Sequence, residues 1–226
     1  MDDRTKRAFK DRLYEQFARI GKAIASARRL ELLDVLAQGE RTVEVLAEET
    51  AMAVANASQH LQVLRRARLV ETRRAGTYVY YRLADERVFG LWQALRELGE
   101  ARLAEIDRIA EDFLQERDLL EPVTMMELLD RLRDGTVIVL DVRPAQEYRA
   151  GHIAGARSIP LDELEARLQE IPVEAQVIAY CRGPYCIFAD KAVRLLGERG
   201  YHAQRFTLGF PDWKAAGLPI EVQTQA

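Results

Sequence analysis

The chain has 226 residues, 48% of them hydrophobic and 31% charged, with a formal net charge of −3. Those proportions exclude a disordered or fibrous protein, and no apolar run approaches the length of a membrane span. The opening Met-Asp-Asp-Arg-Thr-Lys-Arg lacks the apolar core of a secretory signal, and two cysteines five positions apart make no disulfide framework, so no membrane partner and a cytoplasmic location are expected. At this length two ordinary domains are expected.

Phe9, Leu13, Phe17 and Ile20 recur at spacings of four, four and three and predict a helix over 4–20. A second helix is expected over 28–38, where Leu30, Leu33, Val35 and Leu36 are followed by Gly39. Thr42 stands at the N-cap position of a short third helix, 43–50, and a three-residue turn leads to a fourth, 54–67. Two short helices so joined fit a helix-turn-helix. On the fourth, Ala57, Leu61 and Leu64 form one apolar stripe. Asn56, Ser58, Gln59, His60, Gln62 and Arg66 form a polar set suited to base edges and phosphates. Two strands, 70–74 and 77–83, joined at Ala75-Gly76, predict a β-hairpin whose tip carries Arg73 and Arg74. Such a hairpin after a helix-turn-helix is a wing.

Charge follows the same division. Between Val54 and Arg82 the local balance is +5, the footprint of a nucleic-acid contact, whereas from Asp85 to Asp118 it is −5. A single long helix is expected over 88–114. Its apolar stripe (Leu91, Trp92, Leu95, Leu98, Leu103, Ile106, Ile109, Phe113) is too long for a small domain to bury alone and points to a second copy of the chain.

Asn56-Ala-Ser-Gln-His-Leu-Gln-Val-Leu-Arg65, Leu69-Val-Glu71 and Tyr78-Val-Tyr-Tyr-Arg82 resemble the DNA-binding core of the arsenic-repressor (ArsR) family over residues 10–100. The resemblance implies a homodimeric repressor that binds double-stranded operator DNA, pairs through its first and last helices, and leaves DNA when an effector binds. Two positions depart from the family pattern: Ala51 and Arg68 stand where glycine is usual. A side chain there costs about 1 kcal/mol if φ must be positive. The third helix has no cysteine, and 85–118 has neither histidine nor cysteine, so no metal site is expected in this half. His60 fits packing or DNA contact better than metal ligation.

A linker is expected over 115–124, where Pro122 blocks continuation of the preceding helix, with domains at 1–118 and 119–226. Thr124-Met-Met-Glu127 has capping-box spacing and opens a helix that Gly135 ends. Val137 to Leu140 form a buried strand ending at Asp141. A helix over 162–169 and a strand over 176–180 follow. Alternating strands and helices imply a mainly parallel sheet covered on both faces, with its site beyond the strands' carboxyl ends.

That site is Cys181-Arg182-Gly183-Pro184-Tyr185-Cys186, between a strand and a helix. Loop amides and a helix N-terminus there stabilise a thiolate. Gly183 lets the backbone curl around the sulfur, Pro184 removes one donor, and Arg182 supplies the loop's only positive charge. Cys186 has two open roles: a second thiol that attacks a persulfide on Cys181, or a small apolar residue at the helix start.

Asp141-Val-Arg-Pro-Ala-Gln-Glu147, Gly151-His-Ile-Ala-Gly-Ala156 and Phe206-Thr-Leu-Gly-Phe-Pro-Asp-Trp213 resemble the rhodanese family over 122–221. The resemblance implies that Cys181 carries sulfane sulfur as a persulfide and passes it to a thiol acceptor, with Asp141 and Arg143 as possible supports. Arg143 and Glu147 are expected to pair, His152 to pack, and no cofactor is expected. The expected whole is an all-α winged helix-turn-helix with a β-hairpin wing, followed by an α/β rhodanese-like domain with a parallel sheet. The function implied is a DNA-binding regulator that senses reactive sulfur at Cys181. The alternative is a sulfurtransferase in which the winged helix serves dimerisation or autoregulation.

Overall fold

The structure is a computed structural model that describes residues 2–114 and 120–223. It divides into two compact units, Met1–Trp92 and Gln93–Ala226. The expected domain junction at 118/119 and the first half of the expected linker lie outside the described residues.

The first unit contains α1 (Asp3–Ile24), α2 (Ala27–Ala37), β1 (Arg41–Thr42), α3 (Val43–Glu49), α4 (Val54–Arg66), β2 (Val70–Ala75) and β3 (Tyr78–Leu83). α5 (Glu86–Arg102) begins in this unit and ends in the second. The three strands form an antiparallel sheet in the order β1-β3-β2. Ala75 pairs with Tyr78, which leaves Gly76-Thr77 as a two-residue hairpin loop with Gly76 at φ +60°. Leu32, Leu33, Leu36, Leu46, Leu61, Leu64, Val70 and Tyr81 make the core, so α4 buries the stripe its spacing predicts. Phe9, Leu13, Phe17 and Ile20 of α1 are exposed, as are Leu91, Leu95 and Leu98 of α5. Ala51 and Arg68 both adopt positive φ, +49° and +61°.

The expected single helix over 88–114 is two. α5 stops at Arg102, Leu103 is extended (φ −118°, ψ 93°), and α6 runs Ala104–Phe113. The small Gly99 admits the close approach of Ile106, whose Cδ1 lies 3.0 Å from where a Gly99 Cβ would stand. On a continuous helix these residues, seven apart, would be about 10 Å apart along the axis. Apolar periodicity persists through Leu103, so the turn has no mark in the pattern.

The second unit continues with β4 (Pro122–Val123), α7 (Met125–Arg133), β5 (Val137–Asp141), α8 (Ala145–Ala150), β6 (His152–Ile153), β7 (Arg157–Ser158), a 3-10 helix (Glu165–Glu170), β8 (Gln176–Cys181), α9 (Phe188–Glu198), β9 (His202–Gly209), α10 (Phe210–Ala215) and β10 (Ile220–Glu221). Thr124 and Glu127 close the expected capping box on α7. The main sheet is parallel throughout, in the order β4-β9-β8-β5-β7. Along β8 the pleat sends Val177, Ala179 and Cys181 into the core beneath α9, and Ile178 and Tyr180 into the core that holds Phe206 and Trp213. The α-helix expected over 162–169 is instead the 3-10 segment. Its end follows from Pro172, which holds Ile171 in extended backbone.

Candidate functional site

In the first unit the polar set of α4 separates by exposure. Asn56, Gln59 and Arg66 are exposed along one side, while Ser58 and His60 are half-buried. Gln62 departs from expectation: its Nε2 lies 3.5 Å from the Tyr81 hydroxyl, turned toward the sheet and away from the outer face. Arg73 and Arg74 are exposed on the wing as expected, although Arg73 is not a bare cation. Glu40 holds its guanidinium (Nε to Oε2, 3.1 Å) and the Tyr80 ring lies under it, so its ionisation is held above the usual range by the Glu40 hydrogen bond. Arg65, which closes the ArsR-like motif but stood outside the expected DNA-contacting set, is exposed beside Arg66. Among the described residues no group of three or more His, Cys, Asp or Glu is placed to hold a metal ion, and no helix is long and apolar enough to cross a membrane.

In the second unit the cysteine loop crosses from the carboxyl end of β8 to the start of α9. Cys181 is 1% exposed and Cys186 half-buried, both as thiols. The two sulfurs hydrogen-bond to each other. Backbone amides surround them: those of Ala189 and Gly183 donate to Cys181, and those of Phe188 and Arg182 donate to Cys186. Burial first, and donation of its S–H to Cys186 second, push the Cys181 thiol well up. The same bond, received by Cys186 together with the amides, pulls Cys186 down to about 7. Cys181 is thus held as the thiol, and Cys186, nearer solvent and the α9 N-terminus, is the more readily ionised of the two.

The arginines near the loop are matched by carboxylates. Arg182, the loop's only positive charge, is gripped by buried Glu147 (Nε to Oε1, 3.0 Å) and still helps to lower the Cys186 ionisation. Arg143, expected to pair with Glu147, feels the charge of that carboxylate and makes direct bonds to Asp141. It is fully buried and bidentate to Asp141 (Nη2 to Oδ2, 2.6 Å), and Tyr180 donates to the same oxygen. A third bond from Arg143 to the Gly151 carbonyl, 2.8 Å, fastens the start of β6. Asp141 and Arg143 thus lock strand ends together beneath the site. His152 packs as expected, stacked on Tyr148 at 3.6 Å.

Several supporting residues had no individual mark in the sequence. Arg205 pairs with Asp190 at 2.6 Å and donates to the Pro184 carbonyl at 2.9 Å, holding the middle of the loop. Gly209 packs against the Arg182 carbonyl and Gly183 amide, where a Cβ would overlap the backbone. Asp212 accepts from the Gly209 amide at 3.0 Å and from Arg96 at 2.5 Å. Tyr185, 45% exposed at the loop's rim, donates to Glu100 at 2.6 Å. Gly209 and Asp212 lie inside a stretch the resemblance had marked. Arg96 and Glu100, on the last turns of α5, do not.

The family model described as rhodanese-like domain matches residues 124–216, and that described as bacterial regulatory protein, arsR family, matches 26–72. The HTH-type transcriptional regulator Rv0324 of Mycobacterium tuberculosis is 44% identical over 209 residues, covering 92% of each chain. Among solved structures, the homodimeric winged helix-turn-helix DNA-binding domain (fragment 1–100) Mb0332 of Mycobacterium bovis is 46% identical. It covers 46% of this chain and 91% of its own, with a TM-score of 0.41. A rhodanese-related protein from Thermoplasma volcanium is 22% identical and covers 45% of this chain and 98% of its own, also at 0.41.

Proposed function

The chain is a transcriptional regulator of the arsR family joined to a rhodanese-like domain, and we propose that it acts as a cytoplasmic homodimeric repressor whose hold on operator DNA is set by sulfane sulfur carried as a persulfide on Cys181. The carrying observation is the amide-ringed pair of sulfurs at the β8–α9 bend. A persulfide anion needs inward-pointing N–H donors, and the loop supplies them. The sequence has two cysteines, both in this loop, so sulfur chemistry in the DNA-binding half has no side chain to use.

The donor has low charge in this reading. Arg182 and Arg205 each face their own carboxylate, Glu147 and Asp190, which leaves little net attraction for a dianion such as thiosulfate. A small hydropersulfide or polysulfide suits the site, and the burial of Cys181 favours small donors.

Asn56, Gln59 and Arg66 form the face of α4 that reads the major groove, with Arg73 and Arg74 along the backbone. The exposed stripes of α1 and α5 pair two copies and present two recognition helices to two half-sites. Tyr185 and Asp212 then link the sulfur site to α5 through Glu100 and Arg96. A coupling of about 1–3 kcal/mol is enough to change operator occupancy several-fold or more.

The test is operator affinity before and after polysulfide, for the wild type and Cys181→Ser. The expected result is a change of five-fold or more, about 1 kcal/mol, in the wild type and none in the variant. Equal responses remove the sensor reading, and rapid turnover with a thiol acceptor replaces it with a sulfurtransferase.

A further inference from the structure

Of the two roles open to Cys186, packing residue or second thiol, the geometry points to the second. We propose that Cys186 is the resolving thiol of this site, attacking a Cys181 persulfide at its inner sulfur, expelling hydrosulfide and closing a Cys181–Cys186 disulfide. The inference rests on the persulfide reading and names how that persulfide is converted into a change of loop shape.

The inner sulfur of a persulfide is the Cys181 Sγ already present, and Cys186, five residues on in the same loop and also a free thiol, packs against the buried cluster that holds Cys181. The attacker therefore needs no search. Both sulfurs lie in one apolar cluster with Ala189 and Phe188, which keeps competing water from the bond that forms. Exchange requires a thiolate, and Cys186 is the more readily ionised of the two, pulled down by its neighbour and by the Phe188 and Arg182 amides. A packing residue would need neither the amide donors nor the lowered ionisation.

The steps balance with a hydropersulfide, RSSH, as donor. The Cys186 thiolate takes the Cys181 proton while Cys181 attacks the outer sulfur of RSSH, forming Cys181–S–SH. The departing RS⁻ takes that proton from Cys186 and leaves as RSH. Cys186 thiolate then attacks the Cys181 Sγ, the inner S–S bond breaks, and HS⁻ leaves. Both cysteine sulfurs are oxidised, and the sulfane sulfur is reduced to sulfide.

Closing the bond shortens the loop across Tyr185, the neighbour of Cys186 whose hydroxyl holds Glu100 on α5. The disulfide, more than the persulfide, is thus the form with leverage on that helix.

The experiment treats the full chain with one equivalent of glutathione hydropersulfide, then alkylates it and measures intact mass and released sulfide. In the wild type the expected result is loss of both alkylatable thiols and one equivalent of hydrosulfide per chain. Cys186→Ser and Cys186→Ala are expected to retain one extra sulfur on Cys181 and to release none, while keeping operator binding as the check on folding. If the wild type instead keeps the persulfide with Cys186 alkylatable, or bridges the pair through a retained sulfur, the resolving role is overturned and the persulfide reading stands. If the wild type releases no hydrosulfide and neither it nor the variants gain sulfur on Cys181, the persulfide reading itself falls.

Discussion

The Tyr185 hydroxyl donates a 2.6 Å hydrogen bond to the Glu100 carboxylate, tying the rim of the cysteine loop to the last turn of α5. Burial of the phenol, followed by the bond to Glu100, pushes the Tyr185 ionisation above its usual range, so this donor keeps its proton at any physiological pH. Glu100→Ala removes the acceptor without touching the thiols. Sulfur uptake at Cys181 is expected to be unchanged by mass spectrometry, while the polysulfide-dependent change in operator affinity falls several-fold. A full response in that variant would exclude this route.

The Arg96–Asp212 pair is almost completely buried, and Asp212 also caps the Gly209 amide. Removing one member strands the other charge. Arg96→Ala is expected to cost about 3 kcal/mol or more, because Asp212 is left buried without its cation and Glu100, 3.8 Å from the guanidinium, loses the same partner. Urea unfolding followed by tryptophan fluorescence measures it, and a loss below about 1 kcal/mol would show the pair to be solvated.

Ala51 and Arg68 occupy left-handed backbone at φ +49° and +61°. Ala51→Gly and Arg68→Gly are each expected to stabilise the first unit by about 0.5–1 kcal/mol, the strain relieved less the added freedom of the unfolded chain. Gly76→Ala, at φ +60° in the wing, is expected to act in the opposite direction. Thermal unfolding of the three variants gives the signs directly.

Cys186 owes its low ionisation first to the Cys181 bond, so removing that donor must raise it. In the wild type the rate of iodoacetamide labelling is expected to rise with pH through a midpoint of about 7. In Cys181→Ala the midpoint moves up toward the ordinary thiol range of about 8.5. A midpoint that does not move would assign the thiolate's stability to the amides alone.

On α4, Gln59→Ala and Arg66→Ala are expected to weaken operator binding, with sulfur uptake intact. Loss of one phosphate contact at Arg66 would also reduce the salt slope by about 0.9. Gln62→Ala, whose amide reaches Tyr81, is expected to have the smaller effect of the two glutamines. Fluorescence anisotropy across a salt series distinguishes the three.

What could be read from the chain alone was whatever depends on local chemistry. Spacing placed α1 to α4, the wing, and a strand ending at a cysteine, because helix and strand periods write themselves into apolar residues. Positions where glycine is usual marked Ala51 and Arg68 as points of strain, and both have positive φ. Other features depend on partners far apart in sequence. The break at Leu103 rests on Ile106 meeting Gly99, in a stretch whose apolar pattern runs on unbroken. Arg182 faces Glu147 because β8 and α8 come together in three dimensions, 35 residues apart. Likewise, which sulfur ionises more readily follows from burial and from amides that only the folded bend aligns, and the bond from Tyr185 to Glu100 spans 85 residues. Side-chain type and period are written locally, whereas pairing of charges and the direction of a hydrogen bond are decided by which segments tertiary packing brings into reach.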